Sequence, residues 1–348
     1  MATSPGAGRL FPKNDAHFRA WFATDAHCLD YIAWLRWPTG FSCELCGSDG
    51  WQLSDGRYEC AKCHKRTSVT AGTIFDRTRT PLSVWVTACW YFATDKDGVS
   101  ALSLQRRLGI VSYQTAWAML ARLRAVMDDR EKELLAGEVE ADETFLGGHT
   151  KGQRGGREHG AKVLVGIAVE RATDRNGFGR ARLCVLEDAS ARSLRGFLRE
   201  RVAEGSRVVT DGWGPYKSAT EGHYEHVAHT APGETAAVYL PAAHRVASLL
   251  KRWLLSTHQG SFGWDHVPLY LAEFEFRFNR RRSASRGLVF YRLMKMIVAH
   301  SPVRYRDLVM PLSDDEWEDR SMPTPPAHPA PRTPSVELPS PGRPWRAP

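Results

Sequence analysis

No apolar run in this 348-residue chain approaches the roughly 18–20 residues that a helix needs to cross a bilayer, so no membrane partner is expected. The N-terminus, Met-Ala-Thr-Ser-Pro-Gly-Ala-Gly, has none of the apolar stretch of a secretory signal, and the expected compartment is the cytoplasm. Thiols stay reduced there, which sets aside disulfides and leaves metal ligation or burial as the reason for seven cysteines. There is no internal repeat, and strands do not alternate with helices as in a doubly wound βαβ series. The stretch 321–348 has few large apolar side chains and holds half of the chain's 20 prolines. It cannot offset its own ordering entropy and reads as a disordered tail.

What remains is ordinary globular material, 43% hydrophobic and 25% charged, long enough for two or three domains. A net charge of +8 favours a polyanionic partner. Residues 14–38 read as an aromatic-rich helix ending before Pro38. Helical periodicity returns at 82–94 and 100–135, broken at Asp97-Gly98 and Gly109. Strand-like runs follow at 138–146, 162–170, 181–187 and 206–211, with a helix at 190–204 between the last two. Helices at 243–257, 265–281 and 287–299 close the ordered part. The spans are thus an N-terminal helical segment (1–40), a cysteine-rich unit (41–75), a helical region (76–135), a mixed α/β domain (136–300) and a proline-rich tail (301–348). In the α/β domain the first three strands form an antiparallel meander, and the fourth joins after a crossover helix.

Cys43-x-x-Cys46 and Cys60-x-x-Cys63, thirteen residues apart, have the spacing of a structural Cys₄ zinc site. Each C-x-x-C turn sets two thiolates on one side of a tight loop, and two turns complete a tetrahedron with no open position. Cys28, Cys89 and Cys184 fall outside this pattern and read as buried residues. Lys62, Lys65 and Arg66 beside the second knuckle suit phosphate contact. Residues 99–124 read as helix, glycine-containing turn, helix. Ser112 is placed to cap the second helix, and Gln114, Arg122 and Arg124 are expected on an exposed, DNA-facing side. Two core-packing helices without DNA contact are the alternative. Lys151, in the basic glycine-rich stretch 149–157, and Arg252 join the expected DNA-binding set.

Two acidic residues end strand-like runs: Asp142 in Val-Glu-Ala-Asp-Glu-Thr and Asp211 in Val-Val-Thr-Asp-Gly. His244 and Lys251 follow seven residues apart, about 10 Å along one helix face. Two strand-end carboxylates and a helix-borne ligand are an arrangement that holds Mg²⁺ or Mn²⁺ against a phosphodiester. The alternatives stay open at this point. Strand-end aspartates commonly cap turns, and His244 and Lys251 equally suit a solvated helix face shared with Arg245 and Arg252.

Together with Cys43–Cys63, the blocks Thr67-Ser-Val-Thr-Ala-Gly-Thr-Ile-Phe75, Glu140-Ala-Asp-Glu-Thr-Phe-Leu-Gly-Gly148, Thr210-Asp-Gly-Trp-Gly-Pro-Tyr216, Leu249-Leu-Lys-Arg252 and Glu273-Phe-Glu-Phe-Arg-Phe-Asn-Arg-Arg281 resemble bacterial insertion-sequence transposases. The branch is the zinc-ribbon DDE class, ISXO-two-like. The resemblance implies an RNase H-like mixed-sheet catalytic domain preceded by a zinc ribbon and a helix-turn-helix-like region. It also implies metal-dependent cleavage and strand transfer on double-stranded DNA, at terminal inverted repeats and at a target, by a homo-oligomer in the nucleoid. Asp142 and Asp211 match the first two catalytic positions. Lys251 matches the functional lysine, which places His244 where the family has Glu or Asn. The departure leaves a catalytically inactive DNA-binding derivative as the competing expectation.

Overall fold

The structure is a computed structural model describing residues 10–127, 133–147, 162–171, 177–229, 236–258 and 264–309. Lys151 and the proline-rich tail lie outside the described residues. Two short helices, α1 (Asp15–Trp21) and α2 (Asp25–Arg36), replace the single helix expected over 14–38. The break comes from Thr24, whose hydroxyl accepts from the His27 N–H and starts a new helix. A three-stranded antiparallel sheet follows: β1 (Gly50–Gln52), β2 (Tyr58–Cys60) and β3 (Arg66–Thr67). Next come α3 (Leu82–Thr94), α4 (Ala101–Leu108) and α5 (Tyr113–Ala125). The tight α4–α5 turn depends on Gly109 at φ +62°, a left-handed conformation that other residues adopt at a cost.

The chain then builds β4 (Glu138–Leu146), β5 (Val163–Arg171), β6 (Phe178–Leu186), α6 (Ala191–Arg201), β7 (Arg207–Thr210), α7 (Gly214–Thr220) and β8 (Glu225–Ala228). The remaining helices are α8 (Ala236–Tyr239), α9 (Pro241–His258), α10 (Val267–Asn279), α11 (Arg286–Ala299) and α12 (Tyr305–Val309). The five strands lie in the order β6-β5-β4-β7-β8; β4–β6 form the expected antiparallel meander, and β7 runs parallel to β4. This mixed sheet, with its crossover through α6, is RNase H-like. β8, parallel to β7 at the edge, was not foreseen, because Glu225-His-Val-Ala is short and half-exposed with no apolar alternation.

Alternation along the strands sorts side chains into two cores. Val165, Ile167 and Val169 pack under Leu250, Phe274 and other residues of α9 and α10. Val139, Ala141, Leu164 and Ala168 face Leu194, Phe197 and Tyr216 of α6 and α7. The β6 edge is closed by side chains of α10. Asn279 both accepts from Ala181 N–H (2.8 Å) and donates to its carbonyl (3.0 Å), and Glu275 accepts from Leu183 N–H at 2.6 Å. Strand groups that would otherwise invite pairing are thereby satisfied.

A third core joins α1–α5 to α11 through Phe18, Tyr31, Trp90, Phe290 and Leu293. The sequence grouped 287–299 with the sheet domain. In the structure α11 packs against α2 and α3, because Val289, Phe290, Leu293, Met294 and Ile297 form one stripe at helical spacing. The helical core and the sheet domain are tied by Glu273 on α10. Its buried carboxylate accepts from Arg124 of α5 and from Arg277, each at 2.7 Å.

Candidate metal centres and nucleic-acid interface

In the ribbon, the four cysteine sulfurs all lie within 4.8 Å of one another, with Cys43–Cys63 at 3.6 Å and Cys46–Cys60 at 3.4 Å. Sulfurs on a tetrahedron with ~2.3 Å bonds stand roughly 3.8 Å apart, so this donor set fits a closed structural Zn²⁺ site. The Cys60 sulfur accepts from the N–H groups of Cys63 and Lys62 (3.5 and 3.4 Å), which favours the thiolate and lowers its pKa to about 6. Gly47 at φ +71° lets the first knuckle turn back after Cys46. Phe41 stacks on Tyr58 (centroids 5.0 Å) with Trp37 at their edge, forming the small core behind Cys43 and Cys60. Cys28 and Cys89 are buried as expected, while Cys184 is half-buried.

The second site begins on β4. Glu140 and Asp142, two residues apart, point to the same face of the sheet, toward α9. Glu140 is fully buried, and its Oε2 accepts from the N–H groups of Ala242 (2.7 Å) and Ala243 (2.9 Å) in the first turn of α9. Its Oε1 accepts from Arg171 at 2.7 Å. A carboxylate at a helix N-terminus satisfies orphan donors and complements the dipole. The start of α9 is therefore pinned to β4, one residue before His244. The His244 Nε2 then stands 3.5 Å from Asp142 Oδ2. Two cis ligands at ~2.1 Å on an octahedral cation lie about 3 Å apart, so the pair fits a shared divalent ion.

Asp211 reaches the same end of the sheet from β7. Glu140 pairs with Val209, the last pair of the parallel register, so Asp142 and Asp211 follow at one end of that pairing. Among the described residues, their carboxylates and the His244 imidazole do not all come within 4.8 Å of one another, whereas the four cysteine sulfurs do. The turn after β7 explains Thr210-Asp-Gly-Trp-Gly-Pro-Tyr. Asp211 Oδ1 accepts from Trp213 N–H at 3.0 Å, Thr210 Oγ1 accepts from Gly212 N–H at 3.2 Å, and Gly212 has φ +77°. Pro215 then occupies the first turn of α7. Asp142 Oδ1 likewise accepts from the Glu143 N–H at 2.9 Å. Each aspartate thus has one oxygen held by the backbone, and Asp142 turns the other toward His244.

Glu143 points to the opposite face, where its Oε2 accepts from the buried Tyr216 hydroxyl at 2.9 Å. Burial and then the Glu143 charge push the Tyr216 pKa well up, so this phenol stays a proton donor. Lys251 sits two turns beyond His244 on the same helix. Partial burial of its ammonium lowers its pKa and the Asp142 carboxylate opposes that shift, so the two groups share one electrostatic environment although the residue as a whole is exposed.

Lys62 and Lys65 are exposed on the ribbon, and Arg66 is exposed but pairs with Glu59 at 2.8 Å. The helix-turn-helix reading needs correction. Residues 122 and 124 differ by about 200° around a helix and cannot share a face. Arg124 is buried against Glu273, and Arg122 is half-buried with its Nε donating to the Val303 carbonyl at 2.8 Å. Ser112 does not cap α5; its hydroxyl donates to Gln114 Oε1 at 2.7 Å. Only the N-terminal tip of α5 is open, at Val111, Tyr113 and Gln114. Glu140 and Tyr216 are the residues that sequence reasoning missed. The signal was present in the Glu140-x-Asp142 alternation, but a buried glutamate on a strand points to no partner until the helix is placed.

The family model described as the ISXO2-like transposase domain matches residues 134–279, from the entry into β4 to the end of α10. The transposase zinc-ribbon domain matches residues 23–66, taking in α2 as well as the cysteines. No curated protein matches the chain. Its ribbon, its RNase H-like sheet and both family matches agree: the chain belongs to the ISXO2-like transposases.

Proposed function

We propose that this transposase cuts and joins DNA strands at a divalent-metal site formed by Asp142, Asp211 and His244. The supporting observation is the 3.5 Å approach of His244 Nε2 to Asp142 Oδ2 on a helix whose start is held by Glu140. Mg²⁺ or Mn²⁺ bound there supplies positive charge that acidifies the attacking hydroxyl and neutralises charge on the phosphate. The protein's own part is positional. Backbone N–H groups orient both carboxylates, and the Glu140 clamp fixes the height of His244 above β4. Lys251 places a cation beside the phosphate or base next to the scissile bond. Imidazole is a softer donor than a carboxylate, so Mn²⁺ is favoured over Mg²⁺ relative to a site with a third carboxylate. The ribbon, through Lys62 and Lys65, and the α5 tip, through Gln114, take hold of the transposon end. The test is cleavage of a labelled duplex carrying the DNA that borders the gene. Wild type nicks it with Mn²⁺, and Asp211→Asn falls by at least about 100-fold with zinc content unchanged. Equal rates for the two proteins overturn the reading and leave a DNA-binding derivative without this chemistry.

A further inference from the structure

The helix that carries His244 and Lys251 has a second cationic stripe. Arg245, Leu249, Arg252 and Ser256 recur at i, i+4, i+7 and i+11, next to the stripe of His244 and Lys251. They form one wall of a cleft of about 700 Å³. The α3–α4 turn supplies Lys96 and Asp97, the end of α10 supplies Arg280 and Arg281, and the start of α11 supplies Arg286. The floor is apolar, with Trp253, Phe274 and Phe278. Among the described residues, none of Lys96, Arg245, Arg252, Arg281 and Arg286 forms an ion pair with a carboxylate. Arg281 donates only to carbonyls, those of Phe278, Phe178 and Gly179. Arg280 keeps a buried Nε without a partner. Burial and repulsion from Arg292 and Arg182 lower its pKa to about 10.

Like charges gathered at this density destabilise one another unless a polyanion sits among them. We propose that this cleft is a second DNA-binding site, which grips the phosphate backbone of the duplex flanking the scissile bond. Arg245 and Arg252 stand about 10 Å apart along α9, close to three base steps at ~3.4 Å per step. A strand leaving the His244 stripe therefore crosses directly onto them. Arg286 and Lys96 meet it from the opposite wall, where the helical core adjoins the sheet domain. One grip would then bridge the two parts of the molecule, so DNA itself would hold them in register.

The inference rests on the transposase reading, and the test separates the two. Full-length, zinc-loaded protein is titrated onto a fluorescein-labelled duplex of the DNA bordering the gene, without Mg²⁺ or Mn²⁺, over a range of salt. Removing one cation from a phosphate lowers the slope of log K against log salt by about 0.9. Arg252→Gln/Arg286→Gln is expected to lower the slope by about 2. Arg192→Gln/Arg199→Gln, on α6 across the sheet, removes the same charge and is expected to leave it unchanged. Arg252→Lys/Arg286→Lys is expected to restore most of the slope. Wild-type binding with equal slopes in the cleft and α6 variants overturns the cleft and leaves the transposase reading standing. Absence of salt-dependent binding by wild type overturns both.

Discussion

At the scale of single residues, the site turns on how a short strand presents alternate side chains. Asp211 was legible because it ends an apolar run before a turn. Asp142, expected at a strand end, instead lies in the middle of β4, whose ladder with β5 continues to Leu146. The parallel β4–β7 register puts both on neighbouring strands. Glu140 was not legible, because its role exists only between two elements remote in sequence. Its removal is expected to be costly: Glu140→Ala uncaps α9 and leaves Arg171 without its buried partner. The expected loss is about 2–4 kcal/mol, read as a shift of the unfolding midpoint. Glu140→Gln keeps an acceptor for the helix and is expected to lose less stability. Its strand-cleavage rate should nevertheless fall while DNA affinity stays near wild type, because the position of His244 changes and the DNA-binding surface does not. At His244 the proposed metal chemistry can be tested directly. His244→Glu is expected to raise the ratio of Mg²⁺- to Mn²⁺-supported cleavage, and an unchanged ratio would separate His244 from the metal.

Among elements, the cysteine spacing specified the ribbon almost completely, since one coordination polyhedron dictates both knuckles. Removal of zinc by a chelator, or Cys60→Ser, is expected to unfold β1–β3 and lower DNA affinity. The β4–β8 sheet should keep its thermal transition, followed by circular dichroism. The α4–α5 pair was less legible. Apolar periodicity marked both helices but not how much of α5 is covered. Covered positions include Ala116, Met119, Leu120, Leu123 and the charged Arg124. A charged side chain read as solvent-facing is here the inner half of a buried ion pair, and nothing local in the sequence distinguishes the two. The start of α9 shows the opposite case. Its spacing from His244 to Lys251 was readable, yet the angle at which it meets β4 is set by Glu140.

For the whole molecule, the buried charges where the helical core meets the sheet domain make stability depend on acidity. Burial pushes the Glu273 carboxyl upward, but Arg124, Arg277 and His258 outweigh it and its pKa lies below the ordinary value. Its contribution is present above about pH 4.3 and is lost as pH falls toward its folded pKa. His258, in T-shaped contact with Trp253 and Tyr270, is lowered to about 4 by burial and then by Arg124. The unfolded chain takes up this proton near pH 6.5 and the folded one only near 4. Stability therefore falls as pH drops through that window, by roughly 3 kcal/mol in total. His258→Gln is expected to flatten the melting temperature between pH 6.5 and 4.5, and an unchanged slope would remove His258 as the cause.

The central claim is that Asp142, Asp211 and His244 hold one catalytic metal site. Its most direct test is Mn²⁺ titration of the zinc-loaded protein, followed by electron paramagnetic resonance with pulsed detection of nitrogen coupling. Wild type is expected to bind Mn²⁺ with a coupled imidazole nitrogen. That coupling should vanish in His244→Ala, and affinity should fall at least about tenfold in Asp142→Asn. Undiminished binding in Asp142→Asn, or the same nitrogen coupling in His244→Ala, would contradict it.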